Sequence, residues 1–169
     1  MVGTPVDRCV RNVLDKFPLK EDTPTWSLTV SNSQRRKLNK QINDEMYSGG
    51  GLRIDAAHQV DGQGCWLFDG MHVVGCATEQ GIFNGQLYTV VGLLPGIVKL
   101  QVYNQREQFD LKICNIRSIR PAHALTYYSC QGRTLIGRIR LYVQHQKLTT
   151  THIIVGLSRS TCPTLIDCV

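Results

Sequence analysis

Short runs that are apolar on both faces constrain this chain most: WSLTVS (26–31), HALTYYS (123–129), RIRLYVQ (138–144), HIIVGLS (152–158) and TLIDCV (164–169). A strand that hides both faces has no place on a solvated sheet. It needs helices on either side, as in the parallel sheet of an α/β domain. Each of the five runs is therefore predicted to be a strand. CQGRTLIG (130–137) reads as a turn or short helix between two of them.

The stretch between the first and second runs has a different character. CWLF, MHVVGCA, QLYTVVGLL, IVKLQVY and EQFDLKI are short and β-rich, separated by Asp69-Gly70, Asn84-Gly85 and Pro95-Gly96. Closely spaced strands with turn signals and no helical period predict a small antiparallel barrel. Asn84-Gly85 reads as a hairpin turn with both residues at positive φ. Trp66, Phe68, Phe83, Tyr88 and Tyr103 read as barrel core. The expected organisation is an α/β domain in two parts, residues 1–50 and 116–169, with a barrel inserted at 51–115 and the parallel sheet resuming at residue 120.

Two helices complete the reading. Val6, Val10, Val13, Leu14 and Phe17 recur at helical spacing in 5–17, ahead of a proline-bounded linker from Pro18 to Pro24. Ser31 or Asn32 can cap a second helix whose apolar positions are Leu38, Ile42 and Met46, before SGGG (48–51) breaks it. Arg35, Arg36, Lys37 and Lys40 are expected on its exposed side.

Hydrophobic residues at 42% suffice for a core, and charged residues at 19% are too few for a disordered chain. No apolar run approaches the roughly 18 residues that span a bilayer, so a soluble, intracellular protein with no membrane partner is expected. The seven cysteines are odd in number and form no Cys-x-x-Cys pair, and the five histidines, His58 among them, show no metal spacing. The cysteines read as reduced and mostly buried, and no metal ligand is assigned. The net charge of +6 is uneven: residues 116–169 hold seven basic side chains, six of them arginine, against Asp167 alone. The planar guanidinium fork suits phosphate, so this third reads as a phosphate-binding surface.

Three stretches, in order, resemble the second RecA-like domain (2A) of superfamily 1B DNA helicases of the RecD/Pif type. LTVSNSQRRKLNKQIN (28–43) is similar to the family's fourth helicase motif, with Asn32 at the strand–helix junction. DGMHVVGCATEQGIFNGQLYTVVGL (69–93) resembles its SH3-like 2B barrel. ALTYYSCQGRTL (124–135) and HIIVGLSRS (152–160) resemble the fifth and sixth motifs. Two departures stand out: Tyr128-Ser129 replaces His-Lys, and Gly156 replaces the alanine of Val-Ala-Leu-Ser-Arg.

The resemblance implies a RecA-like parallel sheet with an inserted SH3-like barrel. It implies Arg159 as an arginine finger acting on a γ-phosphate, with Ser158 orienting it or capping the next turn. Gln131 and Gly132, with Asn32, would line the ATP cleft and couple it to DNA. Thr126, Tyr128, Arg133, Thr134, Arg35 and Arg36 would contact single-stranded DNA, Tyr128 by stacking on a base or donating a hydrogen bond where the family's lysine would meet phosphate. No G-x-x-x-x-G-K-[ST] occurs, and SGGGLR (48–53) lacks the lysine. ATP and Mg2+ would thus require an N-terminal RecA-like domain of the same protein, and the chain alone is expected to be inactive as an ATPase. The alternatives are a non-catalytic single-strand-binding module and a protein-interaction domain.

Overall fold

Within WSLTVS, Trp26–Thr29 forms a strand buried along its whole length. In the computed structural model, which describes residues 4–56 and 63–169, the elements run α1 (Pro5–Lys16), β1 (Trp26–Thr29), α2 (Asn32–Met46), β2 (Leu52–Ile54), β3 (Cys65–Leu67), β4 (His72–Gly75) and β5 (Leu87–Leu94). They continue with β6 (Ile97–Val102), β7 (Gln108–Lys112), β8 (Ile119–Pro121), β9 (Ala124–Thr126), β10 (Ile139–Leu141), α3 (Thr150–Leu157) and β11 (Ile166–Cys168). His58 lies outside the described residues. Two compact units result: Met1–Leu38 with Ala124–Val169, and Asn39–His123.

The first unit carries a four-stranded sheet in the order β11-β10-β1-β9, every pair parallel. Trp26 and Leu28 are fully buried at its centre, and the Trp26 indole donates to the Ile136 carbonyl at 2.8 Å. α1 starts at a capping box, where the Asp7 N–H donates to Thr4 Oγ1 at 3.2 Å and the Thr4 N–H to the Asp7 carboxylate at 2.7 Å. Ser31 caps α2, its Oγ accepting from the Gln34 N–H at 3.2 Å.

Two expectations for this unit change. HIIVGLS is not a strand; it forms most of α3. Thr149 caps that helix by accepting from the His152 N–H, and burial falls on Ile153 and Gly156, three residues apart, while Ile154 is exposed. The β-branched run favours a strand locally, but capping and packing override that preference. The second correction is on α2, whose residues divide between the two units at Leu38 and Asn39: Arg35, Leu38, Asn39, Ile42 and Asn43 are buried and Met46 is exposed. Arg35 therefore leaves the exposed side, where Arg36, Lys37 and Lys40 remain.

In the second unit, five antiparallel strands take the order β7-β6-β5-β4-β8. The β2–β3 hairpin contributes Ile54 and Leu67 to the same core as Val73, Tyr88, Leu100 and Leu111. β7 and β8 remain the ends of the ladder, joined by a 3-10 turn at Ile113–Ser118, so the barrel is partly open. Residues 119–121 pair antiparallel with β4, so the parallel sheet resumes at Ala124 rather than at residue 120. In the Phe83–Gln86 turn only Gly85 has positive φ (81°), which makes it type II. Among the five aromatics, Tyr88 is core and Phe83 is 62% exposed. The Asn43 amide, unforeseen, pairs with both backbone groups of Trp66 at 2.8 Å.

No helix among the described residues is long and apolar enough to cross a membrane. Nor does any group of three or more His, Cys, Asp or Glu there come together as a metal site. All seven cysteines are free, but only Cys65, Cys130 and Cys168 are buried, fewer than expected.

Candidate functional site

Every residue singled out for chemistry lies in the first unit. The C-terminal ends of β1 and β9 are adjacent, with Thr29 in register with Thr126 and the Tyr127 N–H donating to the Thr29 carbonyl at 2.9 Å. Asn32 follows one strand end and the 127–134 turn follows the other. This edge of a parallel sheet is where α/β proteins place ligands.

The turn is built from short-range bonds. Thr126 and Ser129 bond reciprocally: the Thr126 N–H donates to Ser129 Oγ at 3.1 Å and the Ser129 N–H to Thr126 Oγ1 at 3.2 Å. The Thr126 hydroxyl also contacts Ser129 Oγ at 3.1 Å, so it is already engaged within the turn. Arg133 Nε donates to the Ser129 carbonyl at 3.2 Å. Between them Tyr128 stands 80% exposed. Gln131, Gly132 and Thr134 are exposed too. Gly132 has φ of +73°, and a Cβ there would meet no atom within 4 Å. Backbone conformation, not crowding, thus calls for glycine.

Arg159 follows α3, not a strand, yet it reaches this turn. Its Nη1 donates to the Arg133 carbonyl at 2.9 Å and the Cys130 carbonyl at 3.4 Å. Nε donates to the Val155 carbonyl at 3.1 Å and Nη2 to Ser158 Oγ at 2.9 Å. Ser158 Oγ donates onward to the Val155 carbonyl at 3.0 Å. The structure therefore joins Arg159, Ser158 and the Cys130–Arg133 turn. Asn32 belongs to the neighbouring strand end, where its Oδ1 accepts from Arg35 Nε at 3.1 Å. Arg35 is buried at 3% exposure and is no surface contact.

Nor is the basic last third one surface. Arg140 forms a buried pair with Asp167, and Arg138 holds Asp22 at 2.7 Å, so both guanidinia turn inward and tie the 18–24 linker to the sheet. Burial around the turn also sets its protonation. Cys130 is fully buried and its thiol is pushed up to about 11, mainly by burial. Burial likewise raises Tyr127, whose hydroxyl donates to the Tyr142 carbonyl at 3.3 Å. Neither is an acid–base group at neutral pH. Sequence reasoning missed Cys130 and Arg133 as carbonyl ligands of Arg159, because backbone acceptors leave no residue-type signature.

No protein-family profile matches the chain, and no curated protein matches it. Solved structures do. A Pif1 helicase from Candida albicans superposes with a TM-score of 0.65 at 13% identity, over 99% of this chain and 50% of that one. A Pif1 structure described for DNA unwinding at forked double-stranded DNA gives 0.63 at 17% identity, over 98% and 47%. Bacteroides Pif1 bound to single-stranded DNA gives 0.61 at 15% identity, over 98% and 49%. The chain thus spans about half the length of the structures it resembles. At these identities the likeness is one of fold: a parallel sheet with antiparallel sheets, arranged as in the second RecA-like domain of Pif1 helicases.

Proposed function

We propose that this chain is the second motor half of an ATP-dependent DNA helicase, binding single-stranded DNA through the turn after β9 and offering Arg159 to a nucleotide held by a first motor half. The observation that carries this reading is the direct contact between Arg159 and the carbonyls flanking Gln131-Gly132. It links the residue that would sense a γ-phosphate to the segment that would touch DNA. Arg159 suits the task chemically: of its five N–H groups four donate within the chain, which leaves one on Nη2 for a phosphate oxygen. Tyr128, Thr134 and Arg36, all exposed, are the groups for DNA; Thr126 and Arg35 act by shaping the edge. ATP with Mg2+ would supply the free energy of movement, and an arginine finger typically contributes roughly 10³–10⁵ in rate.

The inward bonding of Arg159 favours a second reading, a single-strand-binding module with no nucleotide chemistry. Both readings require binding to a labelled oligothymidylate, with log K falling linearly as log salt rises. No binding at low salt would overturn both, leaving a protein-interaction domain. The two separate in a protein that carries this chain after a first motor domain: Arg159→Ala abolishes DNA-stimulated ATP turnover under the first and leaves it unaltered under the second.

A further inference from the structure

We infer that Arg159 is a positioning residue for the DNA-contacting turn, fixing its shape before any nucleotide arrives; this rests on the reading above that the turn after β9 binds single strands. The bonds within the turn are long. The Cys130 N–H reaches the Thr126 carbonyl at 3.3 Å, the Gln131 N–H the Tyr128 carbonyl at 3.3 Å, and the Arg133 N–H the Cys130 carbonyl at 3.2 Å. Gly132, at φ of +73°, is the residue with the most conformational freedom. Against these stands a guanidinium whose shorter bond to the turn, at 2.9 Å, falls on the Arg133 carbonyl, with Cys130 held on the other side of Gln131-Gly132. Bonds from a charged donor are roughly twice as strong as neutral ones.

The grip is two-handed. While the side chain holds the Arg133 carbonyl at 2.9 Å, the Arg159 carbonyl accepts the Leu135 N–H at 2.9 Å, just past the turn. Nε on the Val155 carbonyl and Nη2 on Ser158 Oγ brace the guanidinium against the end of α3. Thus α3 sets the guanidinium and the guanidinium sets the turn from which Tyr128 projects.

The test compares the 169-residue chain with Arg159→Met, which keeps the aliphatic stem and removes every donor, and Arg159→Lys, which restores donors and charge. Binding of a labelled oligothymidylate is followed against salt, and amide exchange is followed at Gln131–Arg133 and across Trp26–Thr29. The expected result for Arg159→Met is about a tenfold loss of affinity with an unaltered salt slope, the size a charged hydrogen bond predicts. Exchange at Gln131–Arg133 speeds up, exchange in β1 does not, and Arg159→Lys recovers most of both effects. A salt slope reduced by about one would mean that Arg159 touches DNA phosphate directly and would overturn the inference. Unaltered exchange at Gln131–Arg133 in Arg159→Met would overturn it as well. If the wild-type chain does not bind the oligonucleotide, the DNA reading fails, and the exchange comparison still decides whether Arg159 positions the turn.

Discussion

The Asp167 carboxylate, wholly buried on β11, faces its register partner Arg140 on β10 and accepts both Nε and Nη2 at 2.9 Å. The same guanidinium donates to the carbonyls of Lys20 and Asp22, so the pair fastens the linker as well as the sheet. Removing one partner of a buried pair strands the other charge. Asp167→Asn should therefore cost about 3 kcal/mol in urea unfolding. By contrast Asp22→Ala, which removes an 83% exposed carboxylate from Arg138, should cost under about 1 kcal/mol. Equal costs for the two would mean that water already reaches Asp167.

Gly156 sits in α3 at a position that a side chain would crowd. A Cβ there would lie 2.8 Å from Leu141 Cδ2 and 2.8 Å from the Tyr127 ring. The Tyr127 ring is buried and its hydroxyl is bonded, so it cannot yield cheaply. Overpacking costs about 1–3 kcal/mol, and alanine's helix preference returns about 1. Gly156→Ala is expected to lower stability by about 1 kcal/mol. A higher melting temperature in that variant would show that α3 can move outward freely.

His123, nearly buried and stacked on Phe68 at 6.3 Å, is held down to about 4 by burial first and then by the charge of His72. Burial lowers His72 as well. Above pH about 6.5 both folded and unfolded chains carry His123 neutral, and it contributes nothing to the pH dependence. As pH falls from about 6.5 to about 4, only the unfolded chain takes up the proton, so stability drops, by about 3 kcal/mol in all, and then levels off. Urea midpoints at pH 7 and pH 4.5 should therefore differ more for the wild type than for His123→Gln. An identical pH response would place His123 in water.

Under the proposed function, Tyr128 and Arg36 would make two kinds of DNA contact that salt can separate. Base stacking on Tyr128 contributes about 1–3 kcal/mol, so Tyr128→Ala should weaken oligothymidylate binding at every salt concentration without altering the slope. Arg36→Ala should instead lower the slope by about one, as the loss of a phosphate contact does. Anisotropy titrations at four salt concentrations distinguish them. Unaltered binding in both variants would move the DNA contact away from this sheet edge.

Strands of the four- and five-stranded sheets were legible wherever apolar residues and turn signals bounded a run, as at Trp26–Thr29, Leu87–Leu94 and Ile97–Val102. HIIVGLS misled because Ile153, Ile154 and Val155 favour a strand as isolated residues. The counter-signal was Thr149 placed to cap His152, followed by apolar positions three apart. β2 was hidden because three residues after a glycine run carry no period of their own. At the site, Arg159, Ser158, Gln131 and Gly132 were readable as a motif. Their joining agent was not, because carbonyl acceptors exist at every residue. Arg35 shows the opposite failure: within a basic run, side-chain type says nothing about which member faces inward.

β1 gains its neighbours late. Both strands that flank it, β9 and β10, lie roughly a hundred residues downstream, so every rung of its ladder closes a loop containing the whole of Asn39–His123. During synthesis Trp26 and Leu28 therefore leave the ribosome as an unpaired greasy segment, while the hairpins between β4 and β7 can already zip locally. The inserted unit becomes the earlier folding nucleus, and nascent chains halted before Ile139 are the ones that should recruit chaperones.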